Sequence, residues 1–303
     1  TARAVGDTSA LVSGYFAIRS NEGMAFTRCG RFRHRPAQAD VLHVDIWWRG
    51  TNVACDAGTY SYNQPPPWDG GLGGTSYHNA VTVDGCDQME RAERFLWLPW
   101  VRGSCSGVRR SPCGLLACLE GSHDGYSRLH PAVSYRRAVI LLPGEGWLVL
   151  DRMRSAGPHS YRLHWLCPDL PHECEPREAK LCLTTPSGPY AVQMGVLPVD
   201  GAAKAEFRCS LVRADPESPR GWRSRYYLDR EPALSFDLTV EAHSIILWSL
   251  LSPGLWPVAP TSSRSLAIEG PGGVARVSAG AEDGPLVARV EWVGTVEDSL
   301  EAS

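Results

Sequence analysis

The sequence predicts an all-β fold, and three observations carry that expectation. Apolar and polar residues alternate over short segments, such segments recur along the whole chain, and glycine and proline stand between them. The 303 residues include 30 Gly and 23 Pro beside 11 Trp and 10 Tyr. Aromatic side chains suit a pleated surface, while Gly and Pro set turns. With 43% hydrophobic residues, the chain can fill one sizeable core.

The strands can be placed in order. In Val41–Trp48, Leu42, Val44, Ile46 and Trp48 fall on one face, and His43 and Asp45 fall on the other with Val41 and Trp47. That period of two is a strand signal. Arg49–Asn52 forms a turn, and Val53–Tyr62 returns as a second strand. Pro65–Pro67 and the glycines of Gly70–Gly74 give a long loop, and a third strand, Tyr77–Val83, ends at Asp84-Gly85, a hairpin-type turn. Gln88–Phe95 is the single helix candidate, and it is short. Tyr135–Leu142 and Trp147–Asp151 form a hairpin about Pro143–Gly146. Further strands are predicted at His159–Leu166, Ala179–Thr184, Tyr190–Val196, Ala205–Val212, Ala233–Val240 and Ser244–Leu250, with weaker ones at Ser265–Ile268, Val274–Val277 and Val287–Val293. Short strands with regular turns indicate a sandwich or barrel. No repeat or linker interrupts the chain, so residues 1–260 read as one domain and 261–303 as strands at its edge.

Composition excludes some functions. A net charge of -3, with basic residues dispersed, gives no footprint for nucleic acid. Lys180 and Lys204 are the only lysines. Arginine suits carboxylates and sulfates, although codon bias in a GC-rich genome produces the same balance. The ten cysteines contain no CxxC pair. Cys55, Cys118, Cys167 and Cys182 lie in apolar runs, where a reduced thiol is core filler. No stretch is long and apolar enough to span a membrane. Residues 1–20 lack the basic start and apolar core of a signal peptide, and the chain does not begin with Met, so the compartment stays open.

Three polar pieces carry the functional signal: Arg31–Asp40, Cys55–Tyr62, and Thr75–Asn79 followed by Val83–Met89. Within them stand Gln38-Ala39-Asp40, Asp56-Ala57-Gly58-Thr59-Tyr60, His78-Asn79 and Asp84-Gly85-x-Asp87-Gln88. In this order and spacing they resemble the C-terminal β-domain of the heparinase II/III family of polysaccharide lyases. His123–Tyr126, Arg136-Arg137 and Trp147–Asp151 extend the likeness, which runs from about Gly14 to Pro253.

The resemblance implies a large antiparallel, supersandwich-like β-sandwich with few or no helices, and β-elimination on uronic-acid-containing polysaccharides. The implied partners are an anionic polysaccharide and an upstream α/α-toroid domain of the same protein, which this chain does not contain. A periplasmic or secreted location would follow from likeness to the family. The chemistry needs a group that neutralises the uronate carboxylate, a base for the adjacent proton and an acid for the leaving oxygen. Candidate catalytic residues are His78 and Tyr60. Candidate substrate contacts are Arg33, Asn79, Arg91 and Trp68. A structural zinc is implied at Gln38, Asp56 and His78, with an amide at Gln38 where the family has His. An amide oxygen is a poorer zinc ligand, and neither His34 nor His43 occupies the family position.

Each residue also has a plainer role. His78 can hydrogen-bond a neighbouring strand, Asp56 can form an Asx turn, and Tyr60 and Tyr62 can pack. Arg31, Arg33, Arg35, Arg91 and Arg94 can form a solvated face, and Trp47, Trp68, Trp97 and Trp100 can fill a core. Two other functions follow from these roles: a carbohydrate-binding or structural module without catalysis, and a metal-dependent hydrolase built on Asp56 and His78.

Overall fold

The computed structural model of the protein describes residues 8–10, 14–197 and 206–302. Among the described residues the helical turns are 3-10 segments, Gly71–Gly73, Thr75–Tyr77 and Pro176–Glu178. Everything else regular is strand, in three antiparallel sheets and one small ribbon.

The N-terminal sheet has five strands in chain order, from Thr8–Ala10 to Thr51–Ala54. The central sheet has eleven strands and is built on two long ones, Gly146–Pro168 and Asp229–Ser252. These two pair from Trp147 opposite Leu251 to Pro168 opposite Ala233. Val133–Leu142 and Gly188–Leu197 flank one half of the pair, and Val81–Val83 and Phe207–Arg213 flank the other. The C-terminal sheet has five strands, from Val258–Ser262 to Asp298–Glu301.

The central sheet is apolar on both faces, and the period of two explains how. Val139, Leu141, Trp147 and Val149 pack towards Phe16, Ile18 and Ile46 of the N-terminal sheet. Ala138, Ile140, Leu148 and Leu150 pack towards Leu266, Ile268 and Trp292 of the C-terminal sheet. A strand covered on both sides reads as an unbroken apolar run, as Val139–Leu142 and Trp147–Leu150 do. The fold is therefore a three-layer antiparallel sandwich.

Several sequence expectations are corrected. The strands from Val258–Ser262 to Asp298–Glu301 form a separate sheet that covers one face of the central one. The predicted pairs Trp147–Asp151 with His159–Leu166, and Ala233–Val240 with Ser244–Leu250, are single long strands. The polar break in the first is a bulge between Arg154 and His159, not a turn. Gln88–Phe95 forms no helix. Its outer residues are exposed and offer no apolar stripe, so it makes the ribbon Glu90–Glu93 with Leu96–Leu98, turning at Phe95 with φ 66. The first predicted strand starts only at Val44, because Leu42 takes a left-handed φ of 67. The third is strand only over Val81–Val83, since Thr75–Tyr77 is a 3-10 turn. Ala205–Val212 appears as Phe207–Arg213, and Ala205 lies outside the described residues.

Ile140→Ala should open a cavity between the central and C-terminal sheets and lower the unfolding free energy by about 2–5 kcal/mol. Urea denaturation checks this. A loss below about 1 kcal/mol would contradict burial of the second face.

Candidate functional site

The site is assembled around Asn79, which is fully buried with every polar atom engaged. Its backbone N–H donates to His43 Nδ1 at 3.0 Å. Its side-chain amide donates to the carbonyls of Val44 at 2.8 Å and Cys55 at 3.0 Å. Its Oδ1 accepts the Leu166 N–H at 2.6 Å, and its carbonyl accepts the Arg137 guanidinium. Asn79 therefore has no free donor and no exposed surface for a substrate, which corrects the expectation that it binds one. Arg137 is held in turn by both oxygens of Asp151, at 2.6 and 2.9 Å.

Asp56 and His78 are delivered by irregular segments on either side of this residue. The strand Thr51–Ala54 ends because the Cys55 N–H donates to the Leu166 carbonyl at 2.7 Å. Asp56 then accepts the Gly58 N–H at 2.6 Å, an Asx turn. Gly58 has φ +75, and a Cβ there would lie 1.9 Å from the Ser224 carbonyl oxygen, so glycine alone allows the Trp222–Tyr226 strand to lie alongside. On the other side, the turn Thr75–Tyr77 is pinned by Thr75 N–H to Asp87 at 2.6 Å and Thr75 Oγ1 to the Ala39 carbonyl at 2.8 Å. His78 follows it in extended backbone.

These segments bring His43, Asp56 and His78 together. Asp56 Oδ2 lies 3.5 Å from His43 Nε2 and 3.4 Å from His78 Nδ1. Both rings are buried, whereas the Asp56 side chain is 35% exposed, so the carboxylate is the face the cluster presents to solvent. Burial works against a charge on His78, but the Asp56 carboxylate overrides it and the net shift is upward. Burial pushes His43 down to about 3, against the pull of Asp56. Burial would raise Asp56, yet His78 and then His43 hold it well below the usual carboxylate range.

Gln38 is not part of this cluster. Its amide nitrogen donates to the Gly58 carbonyl at 2.8 Å, and His43 is the third group instead. The spacing suits a small cation, because two ligands of a tetrahedral zinc with bonds of about 2.0–2.1 Å stand about 3.4 Å apart. His43 Nε2 and both ring nitrogens of His78 are buried without a hydrogen-bond partner. The proton inventory does not suit one. Because His43 Nδ1 accepts the Asn79 N–H, the neutral ring carries its own proton on Nε2, the atom that faces Asp56. A metal-bound histidine needs the reverse arrangement, with its second nitrogen donating. Asp56 and His78 alone then offer lone pairs, fewer than the three or four protein ligands of a zinc centre. The set as held does not fit one.

The two imidazoles are too deeply buried to touch a polysaccharide. Other predicted site residues do reach solvent. Tyr60 is half-buried and meets Trp68 edge-on at 5.4 Å. Arg33 is exposed, and Arg91 pairs with Asp69 at 3.5 Å. Trp97 is core, with its N–H on the Ala37 carbonyl. The sequence offers His43 only as a stand-in for Gln38, because it lies away from the family position and reads as one polar position on a strand. Trp222 and Arg230, which meet Trp68, escaped notice because they lie about 150 residues further along the chain.

A three-layer sandwich in which an Asp-x-Gly-Thr-Tyr segment and a His-Asn segment meet at one cluster defines a class, the β-sandwich domains of heparinase type. The chain belongs to the heparinase II/III-like family, whose C-terminal domain it matches over residues 3–265. Among solved structures it is similar to Heparinase III, the BT4657 gene product, at 16% identity and TM-score 0.68, covering 98% of this chain and 42% of that one. It is also similar to the heparan sulfate lyase HepC from Pedobacter heparinus, at 14% identity and TM-score 0.66, covering 100% of this chain and 43% of that one. The chain thus spans less than half the length of these structures, and the likeness is one of fold. No curated protein matches the sequence significantly.

The buried histidines set a pH profile. His43 and His123 are pushed down to about 3 and His164 well down, all by burial first, so each is neutral when folded. Unfolding lets them bind protons, and stability should fall as pH drops below 6.5, their ordinary value. His78 is raised, so its contribution is full below 6.5 and is lost as pH climbs through its folded value. Urea midpoints should peak near pH 6.5, and Asp56→Asn should shrink the alkaline decline, to which Asp45, raised to about 7 by burial, also contributes, while leaving the acid one. A flat profile from pH 4 to 8, or unchanged alkaline behaviour in the variant, would contradict this cluster.

Proposed function

We propose that this chain is the β-domain of a polysaccharide lyase that cleaves uronic-acid-containing polysaccharides by β-elimination. A helical toroid domain of the same protein supplies the opposite wall of the cleft. The observation that carries this reading is the family match over residues 3–265. One of the similar structures is named as a heparan sulfate lyase, which supports an anionic glycan as the substrate.

Within that reading the residues divide by reach. His43 and His78 hold the Asp56 segment in place and touch no sugar, because both rings are buried. Tyr60 is the candidate for proton transfer from this side, with Trp68 beside it as a surface for a sugar ring and Arg33 and Arg91 as contacts for its charges. A phenol in contact with substrate can take or give the proton that β-elimination moves. One observation favours the alternative of a non-catalytic carbohydrate-binding module: neither histidine of the cluster is exposed to act as base or acid.

The test is formation of an unsaturated, ultraviolet-absorbing product from uronate polymers by the full reading frame, helical domain included. Tyr60→Phe should lower kcat by about 100-fold or more, with folding intact. Product formation by the variant at the wild-type rate would remove Tyr60 from the reaction. Absence of product from wild-type protein on every uronic-acid polymer would favour the binding module.

We further propose that protons, not a metal, hold the His43–Asp56–His78 cluster together. Metal analysis of the purified protein should return well below one zinc per chain, and dialysis against a chelator should leave the unfolding midpoint unchanged. One tightly held equivalent would contradict the tautomer set by Asn79, and with it would revive the metal-dependent hydrolase.

A further inference from the structure

Arg230 lies outside every sequence motif, near the start of the long strand Asp229–Ser252 and close to its turn with Trp222–Tyr226. Its guanidinium carbon is 3.9 Å from the centre of the Trp68 ring, 4.8 Å from Trp222 and 5.3 Å from Tyr60. The rings fix one another. Trp68 meets Tyr60 at 76° and Trp222 at 85°, and the Trp222 N–H is anchored on the Asp215 carbonyl at 2.8 Å. An exposed arginine is thus held still by three aromatic side chains.

Its charge is not neutralised. The neighbouring arginines are: Arg223 and Arg225 share Glu231, and Arg220 pairs with Asp237. Among the described residues, Arg230 has no carboxylate within ion-pair distance. Stacking occupies the faces of a guanidinium and leaves its edge, where the N–H donors lie, open to an oxyanion. The ordering that a flexible arginine loses on binding has already been spent on the rings.

The location ties this group to the site. Ser224 N–H donates to the Ala57 carbonyl at 2.8 Å, and Leu228 N–H donates to the Tyr60 carbonyl at 2.7 Å. The hairpin carrying Arg230 therefore runs along residues 57–60, directly after Asp56.

We infer that Arg230, caged by Trp68, Trp222 and Tyr60, is an anion-recognition residue that takes a carboxylate or sulfate group of an acidic polysaccharide on the rim beside Asp56. The inference rests on the proposed glycan substrate and adds to it a binding residue and the chemistry that residue reads. Planar two-point contact with an oxyanion is what a fixed guanidinium edge does best, and lysine cannot reproduce it.

Calorimetric titration tests this with heparan sulfate oligosaccharides and with the same oligosaccharides after chemical desulfation. Arg230→Met should weaken binding about tenfold or more, and Arg230→Lys should weaken it less. Loss on both ligands assigns the contact to carboxylate, and loss on the sulfated form alone assigns it to sulfate; either supports the inference. If Arg230→Met does not fold, Arg230→Lys carries the test through a several-fold loss. Wild-type affinity in whichever variant folds overturns the role of Arg230 and leaves the lyase reading intact. Absence of binding by wild-type protein also overturns it, while the ultraviolet assay judges the lyase reading separately.

Discussion

The rest of the structure depends on keeping one buried amide satisfied. Asn79 lies out of contact with water, where an unpaired donor or acceptor is costly, and it meets that constraint with three peptide groups and the His43 ring. Those groups belong to the strand Val44–Trp48, to the exit from Thr51–Ala54 and to the long strand Gly146–Pro168, with Arg137 closing the ring from Val133–Leu142. The same bonds decide the chemistry next door. By donating to His43 Nδ1, Asn79 fixes which nitrogen of that ring carries a proton, and so what the ring offers Asp56. A residue that looked like a substrate ligand proves to be the joint that orients the cluster.

The position of the site follows from the layering. Because the central sheet is buried on both faces, its strands have little room for polar side chains that point to solvent. Among the charged side chains it does hold, Arg137 pairs with Asp151 and Arg162 with Asp237. Asp56 and His78 come instead from segments that leave the sheets. Residues 55–60 do so where the chain departs from the N-terminal sheet and touches the central one at Leu166, and residues 74–79 do so just before Val81–Val83. Asp56 is thus held by backbone on both sides while its carboxylate still faces outward.

Much of the fold was legible in the sequence, for a physical reason. Alternation and turn residues reflect local geometry, so the strands of Val133–Leu142 and Gly188–Leu197 and the turn at Asp84-Gly85 could be placed from residue types alone. Bulges could not. A polar interruption such as Arg154–His159 looks like a turn, and only pairing with a long partner keeps it in one strand. Asp56 and His78 were legible through their motifs. That His43 and not Gln38 completes the cluster was not, because the left-handed backbone at Leu42 breaks the alternation that would have given its direction. The Arg230 cage was not legible either, since its members come from residues 60, 68, 222 and 230 and meet only in the folded chain.

The central proposal is that the Asp56 rim meets an acidic polysaccharide. A crystal structure of the protein with a heparan sulfate oligosaccharide tests that most directly. Ordered sugar is expected to lie against Tyr60 and Trp68, with an acidic group at the edge of Arg230. Sugar bound on another face of the sandwich, with this rim left bare at saturating ligand, would contradict it.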